Sequence, residues 1–333
     1  YCAQEIGYIV QYLFEIMKKE DIEPVYGRGK RKTEIQRSYD EFLKYYEKLL
    51  EYEYWLDIID ERNSCSKTDH DATMCATKMD YYCNTGLSRP CYNAQIAVSD
   101  GVIVNADLYQ RPADSKTFIP FMERYNEYNG EYPKHPMADA GYGSFENYMY
   151  CTDKKMELDM KYSMYTKKNE PKYKRNNKYN PLLWEMDEQG YKVCPNGYVF
   201  NQYVNEKYNE DGKYLRIIQL YENKEKCGGC QFKENCLKRR KGYKTVSRDV
   251  VLNEFYAEVD KNLSTEQGKE MKKQRSIQVE GAFGVIKQDM KFTRFTRRGL
   301  KNTRMEFLLV CIGYNLRKYH NFRIKNKKKV VIN

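Results

Sequence analysis

Histidine is scarce in this sequence: His70, His135 and His320 are all that its 333 residues hold. A nucleophile activated by imidazole is therefore thinly supplied. No Walker loop, Gly-x-Gly-x-x-Gly, His-Glu-x-x-His or Gly-x-Ser-x-Gly occurs. Those absences remove the common nucleotide, dinucleotide, zincin and α/β-hydrolase signatures. No run approaches the roughly 20 apolar residues of a membrane-spanning helix. The opening stretch also lacks the basic-then-apolar order of a signal peptide. The reading is a soluble, cytoplasmic chain with no membrane partner. No internal repeat is visible.

What is present supports a packed protein. Hydrophobic residues at 41% and charged ones at 32% exclude wholesale disorder. The length suffices for two domains, or for one large core with an insertion. The net charge of +11 is unevenly placed: residues 281–333 carry 14 Lys and Arg against Asp289 and Glu306, a local +12, so the rest sums to about −1. A neutral body with a basic end suits a polyanionic partner, nucleic acid before membrane. The Lys-rich end at 325–329 reads equally well as a solvated tail. The 33 tyrosines carry no functional reading.

Residues 1–62 read as helical, with one stripe at Ile6, Val10, Leu13 and Met17 and another at Phe42, Tyr46, Leu49, Leu50 and Tyr54. A basic loop at residues 24–32 separates them. Residues 63–91 are polar and irregular, with Asp69, His70 and Asp71 close together. The period then changes to two: residues 92–98 and 102–109 predict strands joined at Ser99, Asp100 and Gly101. Asp114 or Ser115 caps a helix running to about Tyr128. A short apolar strand, Met137 and Ala138, should end at Asp139, after which Gly141 and Gly143 allow a reversal and Ser144 caps the next helix. Helical periodicity returns at Ser264 and Thr265 and runs to about Met290. A last helix bears Met305, Leu308, Leu309, Ile312 and Leu316. Hairpin, helix, strand and helix in this order predict a mixed α/β sheet.

Carboxylates are the remaining candidates for chemistry, and they bind hard divalent cations through oxygen. Asp139 stands where a strand meets a glycine turn, a position from which a side chain can enter a crevice or simply cap the turn. Glu280 lies on a helix with Phe283, Gly284 and Lys287 on its face. There it reads as half buried, satisfied by a metal, by Lys287 or by a neighbouring helix. Cys194, Cys227, Cys230 and Cys236 are grouped while the other cysteines are scattered. Their C-x₂-C knuckle with two further thiols suits one structural zinc ion; an iron–sulfur cluster or plain thiols use the same residues. The basic residues Lys287, Lys291, Arg294, Arg297, Arg298 and Lys301 interleave with Phe292 and Phe295. Such a stretch can neutralise phosphates and stack on bases, or be a basic helix end with core phenylalanines.

Several strings then occur in a telling order: RNSCSKTDHDATM (62–74), YNAQIAV (92–98), MADAGYGS (137–144), VEGAFGVIK (279–287), FTRFTRRGL (292–300) and FLLVCIGYNLRK (307–318). Together they resemble a DDE transposase of a bacterial insertion sequence, from the branch with a cysteine-rich insertion. The resemblance implies an RNase H-like core with helices around a mixed sheet and a small zinc-ribbon-like insertion. It implies a DNA partner, a homodimer or larger assembly on DNA, and two Mg²⁺ or Mn²⁺ ions held by three carboxylates. Asp139 matches the second carboxylate, Glu280 the third, and Lys287 the basic residue that meets DNA. An Arg often found four residues before the Glu is replaced by Ser276, with Arg275 one position off. The first carboxylate belongs to an Asp-Gly-Thr strand that this chain lacks, so the chain reads as truncated at its N-terminus. Asp69 and Asp71 are the nearest replacements.

The resulting organisation is a helical segment (1–62), a first part of the catalytic core (63–150), a cysteine-rich insertion (151–255), C-terminal catalytic helices (256–320) and a basic tail (321–333). The expected function is DNA cleavage and strand transfer. The competing readings are a DNA-binding remnant without catalysis and a metal-dependent nuclease on the same fold.

Overall fold

The computed structural model describes residues 1–27, 31–77, 82–209, 212–238 and 242–331, with side chains to residue 324. The centre of the expected basic loop (28–30) and the side chains of the Lys-rich end (325–329) lie outside the described residues. The chain divides into two compact units, Tyr1–Tyr92 with Arg298–Leu300, and Asn93–Arg297 with Lys301–Asn333.

The first unit contains α1 (Ala3–Lys19) and α2 (Glu34–Ile59), the latter capped by Thr33, whose hydroxyl accepts from the Gln36 amide. Ala3, Ile6 and Met17 are buried on α1, and Gly7 lets the Tyr46 ring come close. The α2 stripe is less buried than its periodicity suggests: Leu50 and Tyr54 are exposed. The polar stretch that follows holds a short antiparallel pair, β1 (Thr73–Cys75) and β2 (Arg89–Cys91). Three-residue strands are too short to show a period, so no pattern of residue types marks them.

The second unit opens on the expected hairpin, β3 (Asn93–Ser99) and β4 (Val102–Tyr109). Asp100 and Gly101 both take positive φ, 50° and 77°, the conformation a two-residue turn between twisted strands requires. Three side chains clamp the hairpin tip. Asn315 accepts from the Ile103 amide (2.9 Å) and donates to its carbonyl (2.8 Å). Tyr314 donates to the Gly101 carbonyl, and Gln278 accepts from the Gly101 amide. Along β4 the buried Asp107 meets Arg304 at 2.6 Å and Arg124 at 3.4 Å.

Next come α3 (Phe118–Asn129), preceded by a 3-10 turn at Asp114–Lys116, and α4 (Phe145–Asp153). Ser144 caps α4 by accepting from the Asn147 amide. Met137 and Ala138 do not form the expected strand. They run as irregular chain after the buried Pro136, whose missing amide cannot contribute to a ladder. The nearest parallel pairing is the isolated bridge between Gly143 and Tyr162. It needs Gly143, because a Cβ there would strike the Lys161 carbonyl.

Beyond a short helix α5 (Pro171–Asn176) come β5 (Glu185–Met186) paired with β6 (Lys192–Val193), and a three-stranded sheet of β7 (Gln202–Asn209), β8 (Arg216–Glu222) and β9 (Thr245–Arg248). Two single-turn helices, α6 (Lys224–Gly228) and α7 (Lys233–Leu237), lie between β8 and β9. The fold is therefore α/β, but the strands described form four separate antiparallel sheets where the sequence pattern suggested one mixed sheet.

The chain then enters α8 (Val250–Ser264), capped by Asp249, and α9 (Glu266–Arg275), capped by Thr265. From Arg275 the helix continues through a π turn (Ser276–Glu280), an α turn (Gly281–Gly284) and a second π turn (Val285–Asp289). The last helix is α10 (Leu300–Val331). Its buried face is Thr303, Phe307, Cys311 and Tyr314, while Met305, Leu309, Ile312 and Leu316 are exposed. The apolar stripe expected to close the fold thus faces solvent.

The main core joins α3, α4, the segment from Met156 to Tyr162, and α8 through Phe118, Tyr148, Leu158, Met160, Phe255 and Val259. A second, small core of Trp184, Phe200, Tyr221 and Val246 carries Cys194, Cys227 and Cys236 on its flank.

Candidate active site and nucleic-acid interface

Asp139 is exposed at the start of a turn: its Oδ1 accepts from the Ala140 amide (2.8 Å) and its carbonyl from the Tyr142 amide (3.1 Å). The turn is fixed from behind. Asn147 donates to the Tyr142 carbonyl (2.7 Å) and to the Ser115 carbonyl (3.0 Å). The Tyr142 hydroxyl donates to Gln95 Oε1 in a short hydrogen bond. Burial raises the Tyr142 phenol, and the charges of Asp114 and Asp139 raise it further while Arg275 opposes them. Tyr142 is therefore a neutral donor at physiological pH.

Glu280 closes the first π turn and its side chain is 69% exposed, not half buried. Ser276 donates to its Oε1 (2.8 Å), and the Arg275 guanidinium lies 3.7 Å away. A π helix bonds i to i+5, so residues five apart share a face. That register carries Arg275 to the carboxylate, and the one-residue displacement seen in the sequence is absorbed by the helix geometry. Arg275 therefore touches Glu280 and acts on Tyr142, whose hydroxyl also senses Asp139. Lys287 is exposed, its ammonium 5.5 Å from the centre of the Phe283 ring.

Asp69 and Asp71, the replacements considered for a first carboxylate, are occupied otherwise. Asp69 accepts from the Tyr92 hydroxyl (2.8 Å) and the Gly299 amide (3.1 Å), and Asp71 from the Leu300 amide (2.7 Å). Both tie down backbone. His70 stacks edge-to-face on Trp55. Among the described residues no three His, Cys, Asp or Glu side chains form a group that could hold a metal ion.

Lys287, Lys291, Arg294, Arg297, Arg298 and Lys301 are all exposed. Phe292 and Phe295, offered above for base stacking, are partly buried: they pack edge-to-face, and Phe295 continues onto the buried Phe307. Glu306 organises the loop by accepting from the Thr296 amide and hydroxyl and from the Arg297 amide. Burial alone works against its charge, yet these bonds hold its carboxyl below the ordinary range.

Cys194, Cys227, Cys230 and Cys236 line a single cavity of about 30 Å³ with Trp184, Phe200 and Phe232. Asn196 donates to Cys230 Sγ at 3.8 Å. Burial raises the Cys227 and Cys236 thiols, Lys244 opposes it, and the neighbouring thiols raise them further. Among the described residues no three of these cysteines are drawn together closely enough to hold a metal ion.

Residues 193–320 match the family model described as a transposase DDE domain. Over these residues the chain is similar to the DDE domain of transposases. The match takes in the four cysteines, Glu280 and the whole basic stretch, and it leaves Asp139 outside. No curated protein and no solved structure matches the chain. No helix among the described residues is long and apolar enough to cross a membrane. Two features of the fold left no sign in the sequence: the π turns leave no mark in residue type, and the ion pair between Asp107 and Arg304 joins residues far apart in the chain.

Proposed function

We propose that this protein is the DNA-cleaving and strand-transferring transposase of a bacterial insertion sequence, with Asp139 and Glu280 in its catalytic centre. The transposase DDE match over residues 193–320, which contains Glu280 and the basic stretch, carries this reading. Two carboxylates suit one hydrated Mg²⁺ or Mn²⁺, with substrate phosphate oxygens completing its sphere. A bound divalent ion would polarise the phosphate and activate the attacking oxygen. Two ions about 3.5–4 Å apart need a further carboxylate, which the described residues do not bring to this pair. The chain's own groups set the stage. Arg275 neutralises part of the Glu280 charge, Tyr142 braces the Asp139 turn, and Lys287 to Lys301 neutralise DNA phosphates. In an RNase H-like core assembled on DNA as two or more copies, these groups would meet the transposon ends.

The four cysteines fit a structural zinc ion by donor chemistry and by their shared cavity. Trp184, Phe200, Tyr221 and Val246, with Leu237 nearby, are the buried apolar residues described in that region, a small core of the kind that a structural metal supports.

The test has two arms. DNA affinity should fall steeply with salt, and Arg294→Ala with Arg297→Ala should lower the salt slope by about 2, roughly 1 for each phosphate contact. Residues 1–333 should bind DNA without Mg²⁺-dependent nicking. Asp139→Asn should weaken divalent-ion binding and leave DNA binding intact. Salt-insensitive binding overturns the interface, and robust nicking by residues 1–333 overturns the two-carboxylate account. Among the described residues no group of three metal-binding side chains forms, which also favours a second reading, a DNA-binding remnant. That reading stands if Asp139→Asn leaves divalent-ion binding unchanged.

A further inference from the structure

Asp114 lies at the meeting point of three chain segments around the Asp139 turn. Asn93 and Gln95, neighbours on one face of β3, both donate to its Oδ1, at 2.8 and 3.1 Å. Gln95 Nε2 also donates to Asn93 Oδ1 at 2.7 Å. Gln95 is buried, and with its amide nitrogen committed to Asp114 its oxygen must point the other way. There it accepts the Tyr142 hydroxyl. The second carboxylate oxygen of Asp114 packs on the backbone of the same turn: a Cβ added to Gly141 would sit 3.1 Å from it. Asp114 also anchors its own turn, since its carbonyl accepts from the Thr117 amide and hydroxyl.

We propose that Asp114 is a positioning residue for Asp139: its carboxylate orients Gln95 so that Tyr142 is held, and it seats Gly141, thereby fixing the turn that carries Asp139. This deepens the function proposed above, because the turn matters to the chemistry only if Asp139 acts. The ionised form is the one required. Both amides donate to one oxygen, Oδ1; a carboxamide in place of the carboxylate keeps one acceptor oxygen but loses the charge that strengthens these bonds, and it puts a donor nitrogen where the second oxygen seats Gly141.

Hydrogen exchange on residues 1–333 tests this without reference to catalysis. In Asp114→Asn, the amides of Ala140 and Tyr142 should exchange about tenfold faster, the equivalent of one charge-assisted hydrogen bond. The three-stranded sheet β7 to β9 should be unchanged, and so should the melting temperature. Tyr142→Phe removes a single hydroxyl and serves if Asp114→Asn folds poorly; it should loosen the same two amides. The proposal is overturned if either folded variant leaves those amides as slow as in the parent. It is equally overturned if exchange rises only in step with global unfolding. Failure of the catalytic reading would show separately, as no loss of divalent-ion binding in Asp139→Asn with the Asp114 result intact.

Discussion

The surroundings of Asp139 and the cysteine-bearing segment are held by opposite means. Around Asp139, side chains from β3, the turn at Asp114 and α4 interlock through Gln95, Tyr142 and Asn147, beside a broad aromatic core. The cysteine segment has a small core of Trp184, Phe200, Tyr221 and Val246, with four thiols and the buried Leu237 around one small cavity. A network of interlocked polar groups specifies one geometry and suffers when a partner is lost. A small core with clustered thiols has its stability tied to what the thiols bind. One region is held by side-chain hydrogen bonds, the other by a small apolar core beside four thiols.

That contrast can be broken most severely at Asp107. Asp107→Ala should destabilise the second unit by about 3 kcal/mol, because Arg124 and Arg304 lose a buried partner; chemical denaturation reads this directly. Cys230→Ser should instead act locally. Purified protein should contain about one zinc, and the variant should lose it and be cleaved by protease within residues 184–248 roughly tenfold faster, with the Asp139 region unaffected. Metal-free protein of unchanged resistance would make the cysteines ordinary thiols.

Glu306 gives a pH-dependent effect. Its folded carboxyl titrates below its ordinary 4.5, so its contribution is complete above that value and disappears as pH falls through the lower folded value. Amide protection at Thr296 and Arg297 should be lost in that acid window, and Glu306→Gln should weaken it at neutral pH by about 1 kcal/mol. The smallest effect belongs to Ile312, which is exposed: Ile312→Lys should change stability by less than about 0.5 kcal/mol.

Much was legible where one local cause decides the structure. Asp100 and Gly101 announced a hairpin, and Ser144 and Thr265 announced helix starts. Where several causes compete, the reading failed. Met305, Leu309, Ile312 and Leu316 have helical spacing, yet α10 packs through Phe307, Cys311 and Tyr314, because periodicity marks an apolar face without saying which face is covered. Glu280 was expected half buried and is exposed, since π turns re-aim side chains without leaving a signal in composition. Asp114 read as a helix cap, but the side chains it gathers, Asn93 and Gln95, come from a strand about 20 residues earlier in the chain.

The central claim is that Asp139 and Glu280 act on one divalent ion. Titration of residues 1–333 with Mn²⁺, followed by electron paramagnetic resonance, tests it most directly, because Mn²⁺ prefers carboxylate oxygen to the cysteine thiols. The account predicts one bound ion in the parent, lost in Asp139→Asn and equally lost in Glu280→Gln, with the double variant no weaker than either. Undiminished binding in either single variant, or losses that simply add, would mean that the two carboxylates do not share a site.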